Sequence, residues 1–189
     1  MVMFNVTNML SKEDTLLERI FGSTRQWHFE ELRRDVKIGK PQLARWLKKF
    51  EQDGIVKRIK QKSAMPYYVQ NNEDVRFRNR KKLFAWKKML DCGLIDHLAS
   101  LPDVKVVILF GSLSRWDWYN HSDIDIFIYG EGELEKGIFE SRLNREIEVH
   151  QAKNSADLQR ISRLLPSIIS GNLIKGSIRD LGVEIRAKV

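Results

Sequence analysis

Hydrophobic side chains in the first part of the chain recur at the three- and four-residue spacing of amphipathic helices. This spacing predicts one helix over residues 13–21, a second over residues 29–36 and a third that begins at Pro41. Proline suits the first turn of a helix because the N–H that it lacks would have no partner there. The predicted buried stripe of the third helix consists of Leu43, Trp46, Leu47 and Phe50.

Two elements of different kinds follow the third helix. Asp53 and Gly54 end that helix, and residues 55–70 (IVKRIKQKSAMPYYVQ) have the pattern of two strands joined by a basic tip. Residues 76–100 then have the pattern of a long helix, whose apolar side chains are expected to pack inward while its cations face solvent. The inward set is Leu83, Phe84, Trp86, Leu90 and Leu94, and the cations are Arg76, Arg78, Arg80, Lys81, Lys82, Lys87 and Lys88.

The second half of the chain contains the patterns of strands. Residues 104–110 (VKVVILF) form a short apolar, β-branched run, and in residues 123–129 (DIDIFIY) isoleucine alternates strictly with other residues, which gives a period of two. A third strand is predicted over residues 145–152 (REIEVHQA). An amphipathic helix over residues 155–170, interrupted at Pro166, and a strand or tail over residues 183–187 complete the prediction.

Length and hydropathy limit the class of protein. A chain of 189 residues with 42% hydrophobic residues can form a core, and two small domains are favoured over one large domain. No run of eighteen apolar residues is present, so no membrane span is predicted. The first residues lack the basic stretch and the long apolar segment of a secretory signal, so we expect a cytoplasmic protein.

Charge is distributed unequally between the two halves of the chain. Residues 1–90 contain 21 Lys and Arg against 10 Asp and Glu, whereas residues 91–189 contain 12 against 15. The net charge of +8 therefore comes entirely from the first half. An excess of cations confined to one domain indicates a polyanionic partner, most simply nucleic acid.

The segment from Gly111 to Asp125 (GSLSRWDWYNHSDID) contains the candidate chemistry. A Gly-Ser pair closes one predicted strand, and Asp123 and Asp125 open the next one. Alternation places both carboxylates on one face of that strand, where they repel one another unless a cation or a partner neutralises them. Mg²⁺ prefers carboxylate oxygens and commonly completes its coordination with substrate phosphates. This pattern favours phosphoryl or nucleotidyl transfer.

The same segment resembles the active-site signature of the nucleotidyltransferase superfamily related to DNA polymerase beta, in particular its minimal nucleotidyltransferase branch. In that family an Arg often follows three residues after the Ser, and a Ser often precedes the first Asp. The resemblance, which covers residues 102–152, implies that Asp123 and Asp125 bind Mg²⁺ and act in catalysis. The nucleotide-binding residues that it implies are Gly111, Ser112, Arg115 and Ser122.

The family also places a third carboxylate, for metal binding and catalysis, on a later strand. Glu148 is the preferred candidate because it lies between two apolar residues, as the family's residue does, and Glu146 is the alternative. His150 shares the strand face of Glu148 by alternation. This chain departs from the family's pattern in two places: Trp116 replaces a small residue, and a Glu replaces the usual third Asp.

The three predicted helices and the basic hairpin resemble a winged helix-turn-helix domain. In such domains the third helix enters the major groove of DNA, and the wing contacts phosphates. The same domains also dock proteins, and a basic face can be merely solvated, so these alternatives stay open. The resemblance implies groove contacts by Lys40, Gln42, Arg45 and Lys49, and phosphate contacts by Arg58, Lys60 and Lys62.

We therefore predict an α+β chain of two domains. Residues 1–72 form a winged helix-turn-helix domain, and residues 73–189 form a nucleotidyltransferase domain with a mixed β-sheet flanked by helices. Residues 73–101 are the helix that opens and links this second domain.

The predicted function is Mg²⁺-dependent transfer of an NMP from an NTP, with ATP foremost, while the first domain contacts duplex DNA. The acceptor stays open between a protein side chain, a small molecule and an RNA end. Relatives of the antitoxin type, which nucleotidylate a toxin protein, make a protein acceptor one prediction. The alternative is a DNA-binding regulator whose second domain binds a nucleotide or a partner without turnover. For the assembly, we consider a homodimer.

Overall fold

The computed structural model describes residues 11–182 of the chain. The described helices are α1 (Lys12–Phe21), α2 (Phe29–Val36), α3 (Lys40–Gln52), α4 (Val75–Asp91), α5 (Leu94–Ser100), α6 (Gly111–Ser114), α7 (Gly137–Leu143), α8 (Ser155–Arg160) and α9 (Leu165–Ile169), followed by a 3₁₀ helix (Ile178–Leu181). The strands are β1 (Trp27–His28), β2 (Val56–Ile59), β3 (Tyr67–Gln70), β4 (Val104–Phe110), β5 (Ile124–Gly130), β6 (Ile147–Ala152) and β7 (Asn172–Lys175).

Most of the elements that the sequence pattern predicts are present. Helix α2 and strand β4 have the predicted bounds, and Pro166 lies in the first turn of α9, so the predicted interruption there is confirmed. Strands β1 and β7 and helix α7 were not predicted, since each is too short to show a clear period. The predicted strand or tail over residues 183–187 lies outside the described residues.

The chain divides into two compact units, and the division falls inside α4. The first unit extends to Leu83 and also includes Trp118–Asn120, whereas the second contains Phe84–Asp117 and the residues from His121 onward. The predicted domain boundary, after residue 72, precedes α4. The inclusion of a three-residue segment from a distant loop is a feature that sequence pattern does not indicate.

The first unit combines α1, α2 and α3 with an antiparallel sheet in the order β1-β3-β2. Its core is built from the apolar stripes of the helices because each stripe is shielded from water only when it faces the others. The side-chain amide of Gln70 joins β3 to the end of α1 by donating to the carbonyl oxygens of Ile20 at 2.7 Å and Ser23 at 3.0 Å. In α3, Leu43, Leu47 and Phe50 are buried as predicted, whereas Trp46 is only half-buried.

Helix α4 buries a face that differs in part from the one predicted, because Phe84 is buried as predicted but Leu83 and Leu90 are not. Leu83 and Leu90 are 63% and 48% exposed, so the prediction that they pack inward is wrong. Lys81, for which the helical pattern predicts the solvent face, is 1% exposed. Its ammonium group lies 4.8 Å from the ring centroid of Trp118 and 4.6 Å from that of Tyr119. The period of the helix could not reveal this face because these two aromatic rings come from a loop far along the chain.

The long helix predicted over residues 76–100 is divided into two helices. Gly93 has a φ of 83°, a left-handed conformation that ends a helix at little cost for glycine. It separates α4 from α5. Among residues 11–182, no helix combines the length and the apolar content that a membrane crossing requires.

The second unit contains a four-stranded sheet in the order β6-β5-β4-β7. Strand β4 runs antiparallel to β5 and β7, whereas β5 and β6 are parallel, so the predicted mixed sheet is confirmed. The 3₁₀ helix, α8 and α9 contribute to a core on one face of this sheet. That core consists of Val106, Ile108, Phe110, Phe127, Ala152, Leu158, Ile168 and Leu181.

Candidate active site

Asp125 lies on the middle one of three neighbouring strands, β4, β5 and β6, next to the turn that follows β4. It is the second residue of β5, with Phe110 opposite it on β4 and Glu148 opposite it on β6. Strand β4 ends at Phe110, so Gly111 begins the turn that meets the Asp125 carboxylate. Gly111 has a φ of 71°, and a Cβ built on it would lie 1.8 Å from Asp125 Oδ2. Glycine is favoured there because the backbone is left-handed and because a side-chain carbon would force the Asp125 carboxylate to move.

Hydrogen bonds hold the Gly-Ser turn in a short helix, α6. The Ser114 hydroxyl donates to the Gly111 carbonyl oxygen at 2.8 Å, and the Arg115 N–H donates to the Ser112 carbonyl oxygen at 3.1 Å. The side-chain amide of Asn172, in β7, donates to the Ser114 carbonyl oxygen at 2.9 Å. Sequence reasoning missed the contribution of Asn172, since β7 carries no motif that would indicate it.

Arg115 and Ser122, two of the predicted nucleotide-binding residues, have other partners in this structure. The Arg115 guanidinium donates to both carboxylate oxygens of Asp117, at 3.1 Å and 2.9 Å, and its side chain is 51% exposed. The Ser122 carbonyl oxygen accepts a hydrogen bond from Arg145 Nη1 at 2.7 Å. The Arg115–Asp117 salt bridge is exposed, and exposed salt bridges contribute little free energy. It therefore does not prevent Arg115 from turning to an anion.

A group of three potential ligands lies beside the Gly-Ser turn. Asp125, Glu148 and His150 each offer one ligand atom, and these atoms all lie within 4.8 Å of one another. His150 Nε2 is 3.4 Å from Glu148 Oε1. The register of β5 and β6 explains the grouping, because Asp125 pairs with Glu148 and alternation returns His150 to the same face. Glu146, the alternative third carboxylate, precedes β6 and is not one of the three.

Asp123 is exposed and lies directly before β5, outside this group. The structure therefore brings together two of the three predicted metal ligands, with His150 beside them. Asp123 still acts on Asp125 electrostatically, since its negative charge contributes to the raised pKa described below.

The pKa of the Asp125 carboxyl is raised above its ordinary value. Burial is the largest cause, because partial removal from water disfavours the charged form, and the negative charges of Glu148 and Asp123 add to it. His150 and Arg115 act in the opposite direction. The negative charge at this position is therefore incompletely compensated by the protein itself.

These properties fit a divalent cation. Two carboxylates and an imidazole are within reach of one ion, and a bound cation would offset the burial and the repulsion that together raise the pKa of Asp125. The residues that would hold it are Asp125 and Glu148, with His150 and Asp123 adjacent.

The predicted nucleic-acid contacts lie in the first unit and are mainly exposed. Lys40, Arg45 and Lys49 are exposed on α3, where the Arg45 guanidinium donates to the Gln42 side-chain oxygen. Lys40 lies 3.4 Å from a Glu30 carboxylate oxygen, and Lys49 lies 3.6 Å from one of Glu13. Gln42 is half-buried. In and after β2, the exposed cations are Arg58, Lys60 and Lys62.

Comparisons with known proteins bear on the second unit. The family model described as Polymerase beta, Nucleotidyltransferase matches residues 93–179, which is under half of the 189 residues. No curated protein matches the chain in sequence. Among solved structures, the chain is similar to a mutant of the toxin–antitoxin MntA–HpeT. The identity is 16% and the TM-score 0.31, over 53% of this chain and 77% of that chain.

A TM-score of 0.31 supports no argument about fold or activity. The family match supports an argument about the fold of this segment, because it includes Gly111, Asp125 and Glu148 and coincides with a mixed sheet flanked by helices. The match supports the assignment of residues 93–179 to the nucleotidyltransferase superfamily.

Proposed function

We propose that this protein is a divalent-cation-dependent nucleotidyltransferase that transfers an NMP from an NTP to an acceptor. The observation that carries the proposal is the approach of the Asp125 carboxylate to Gly111, beside Glu148, inside the segment that matches the family. In this proposal the Gly-Ser turn binds phosphate and the Asp125–Glu148 pair binds the cation, and both lie at the same end of the sheet. On the family resemblance, the cation is Mg²⁺ and the NTP is ATP.

Each residue of the site has a role in this proposal. Ser112 would donate its hydroxyl to a phosphate oxygen, and Arg115, once released from Asp117, would pair with the phosphates as a planar donor. Asp125 and Glu148 would hold the cation, joined by Asp123, which lies outside their group in this structure and would turn toward the bound ion. A bound divalent cation supplies charge neutralisation for the phosphates and for the leaving group.

The transfer itself is an in-line displacement. An acceptor oxygen forms a bond with the α-phosphorus while the bond between that phosphorus and the bridging oxygen of the β-phosphate breaks, and pyrophosphate leaves. The acceptor's proton must be removed in the same step. Glu148 is suited to receive it because its side chain is 59% exposed and so is open to an incoming acceptor.

Transfer of label is the decisive measurement. The chain is incubated with NTPs labelled at the α-phosphate, Mg²⁺ or Mn²⁺ and cell extract, and the double variant Asp123→Ala with Asp125→Ala is compared with the parent. We expect transfer by the parent and at least a hundredfold loss in the variant, about the scale of removing an essential electrostatic contribution. Glu133→Gln is the matched control, because Glu133 is an exposed acid beyond the other end of β5.

The nature of the acceptor follows from the labelled product. A labelled protein is degraded by protease, and a labelled RNA end is degraded by ribonuclease. A labelled small molecule is resistant to both enzymes. We propose the protein acceptor on the family resemblance to antitoxin-type enzymes. Transfer that is absent from the parent under all these conditions contradicts the enzymatic proposal.

We further propose that the first unit is a winged helix-turn-helix domain that contacts duplex DNA. The exposed cations on α3 and in the β2–β3 hairpin, together with the net positive charge of residues 1–90, support this part. They also favour the second candidate function, a DNA-binding regulator whose nucleotidyltransferase-like unit binds a nucleotide without turnover. Duplex binding that is strong and salt-sensitive, without any label transfer, would support that candidate.

A further inference from the structure

His150 occupies a position for which the proposed chemistry has no assigned role. Its side chain is 19% exposed, and Nε2 lies 3.4 Å from the Glu148 carboxylate. The cluster that it completes with Asp125 and Glu148 has all three ligand atoms within 4.8 Å. An imidazole nitrogen is therefore within reach of an ion that the two carboxylates could bind.

The orientation of the ring is determined by packing. The Phe110 ring lies 5.2 Å from the His150 ring, centroid to centroid, and Phe110 is itself buried. Strand register adds to this, since His150 pairs with Phe127, which is fully buried. A ring held in this way presents its nitrogen to a cation with little loss of rotamer entropy.

We propose that His150 is a direct metal ligand and that the site favours a transition-metal divalent cation, Mn²⁺ or Co²⁺, over Mg²⁺. The reason is the donor set. Imidazole nitrogen suits first-row transition metals, whereas Mg²⁺ favours oxygen ligands and keeps its waters. A site of two carboxylates and one imidazole therefore gains affinity for Mn²⁺ and Co²⁺ that an all-carboxylate site lacks.

This inference rests on the proposed function only in taking the cluster to be a metal site, so it can be tested without any nucleotide. The probe is Mn²⁺ bound to the full-length chain, studied by pulsed electron paramagnetic resonance. A directly bound imidazole produces a ¹⁴N modulation of the Mn²⁺ signal, whereas carboxylate ligands do not. We expect this modulation in the parent and its loss in His150→Asn.

Affinity provides the second readout. By titration, we expect His150→Asn to weaken Mn²⁺ binding at least about tenfold, the lower end of what changes around metal ligands cost. Mg²⁺ binding should change by less than about twofold, since its ligands are oxygens. His121→Asn is the control because His121 is exposed and lies only two residues before Asp123; this change should leave both the modulation and the affinities intact.

The outcomes separate this inference from the proposed function. If the parent binds Mn²⁺ but shows no ¹⁴N modulation, His150 is not a ligand, even where label transfer is observed. This test uses the parent protein alone, so it does not depend on whether a variant folds. Modulation that persists in His150→Asn and disappears in His121→Asn also overturns it. Modulation in the parent that is lost only in His150→Asn supports the inference even where no transfer is detected.

Discussion

Gly111 is the residue at which the candidate site depends most directly on the absence of a side chain. Gly111→Ala places a methyl group 1.8 Å from Asp125 Oδ2, on a backbone with a φ of 71°. We expect this change to lower the free energy of unfolding by on the order of 1–3 kcal/mol, because strain and displacement of the carboxylate act together. Mn²⁺ binding should weaken as well, since Asp125 has to move.

The control is another glycine of the same unit. A Cβ added at Gly137 meets no atom within 4 Å, and this residue lies in the first turn of α7. Gly137→Ala is therefore expected to stabilise the protein, by roughly 0.5–1 kcal/mol. Denaturant unfolding monitored by circular dichroism measures both changes. If Gly111→Ala unfolds at the same denaturant concentration as the parent, the close contact with Asp125 is wrong.

Asp125 predicts a pH dependence of stability. Its pKa is raised above the ordinary 3.8, so the folded chain binds this proton more tightly than the unfolded chain does. The stability of the metal-free protein should therefore fall as pH rises through the window that begins near the ordinary pKa. At neutral pH, Asp125→Asn should be more stable than the parent, and at about pH 3 the two should be alike because the parent carboxyl is then protonated in both states.

Thermal unfolding at several pH values, with a chelator present, measures this difference. Glu133→Gln removes an exposed carboxylate of the same unit and serves as the control. Added Mn²⁺ should reverse the order, because a ligand that binds only the folded parent stabilises it by mass action. A variant that is less stable than the metal-free parent at neutral pH would disprove the unfavourable environment of Asp125.

At the scale of elements, the unexpected structural feature is the segment Trp118–Asn120. Trp118 is 2% exposed, and its ring lies 6.3 Å from the Phe21 ring in an edge-on arrangement within the first unit. The Asn120 N–H donates to the Gly22 carbonyl oxygen at 3.0 Å. The loop between the Gly-Ser turn and Asp123 thus contributes side chains to the core of the first unit.

This packing predicts a large effect of Trp118→Ala. We expect a loss of about 3–5 kcal/mol in the free energy of unfolding of the first unit, the usual cost of truncating a buried aromatic residue. Trp116→Ala should cost much less because Trp116 is only half-buried. Urea unfolding monitored by far-ultraviolet circular dichroism compares the two. Equal effects of both changes would show that Trp118 is not part of this core.

At the scale of the whole molecule, the asymmetry of charge predicts salt-dependent binding of DNA by the first unit. Arg45→Ala combined with Lys49→Ala should weaken binding to a duplex of mixed sequence and reduce the slope of log affinity against log salt concentration by about 2, since each phosphate contact contributes roughly 0.9. Fluorescence anisotropy at several salt concentrations measures both quantities.

The control for this prediction removes the same charge elsewhere. Arg160 and Arg163 are exposed residues of the second unit, and Arg160→Ala combined with Arg163→Ala should leave the salt slope unchanged. If the α3 variant retains the affinity and the slope of the parent while the parent binds DNA, the assignment of α3 to the groove is wrong.

The order and type of the longer elements were predictable from sequence because they depend on local periodicity. Strand β4 is apolar apart from Lys105, and isoleucine recurs at alternate positions of β5, so both patterns favour a strand. The motif between them pointed to Gly111 and Asp125 through its resemblance to the family's signature, whereas the approach of the Asp125 carboxylate to Gly111 is a finding of the structure. The Phe21, Leu43 and Phe50 positions of the first core followed from helical spacing in the same way.

The composition of the ligand cluster and the buried face of α4 were decided by tertiary structure. His150 is close to Asp125 only because β5 and β6 pair in parallel at one register, and a shift of one residue would turn it to the opposite face. Lys81 is buried beside the rings of Trp118 and Tyr119, which come from another part of the chain. Periodicity specifies which face of an element is apolar, whereas contacts between distant segments depend on packing that no local pattern contains.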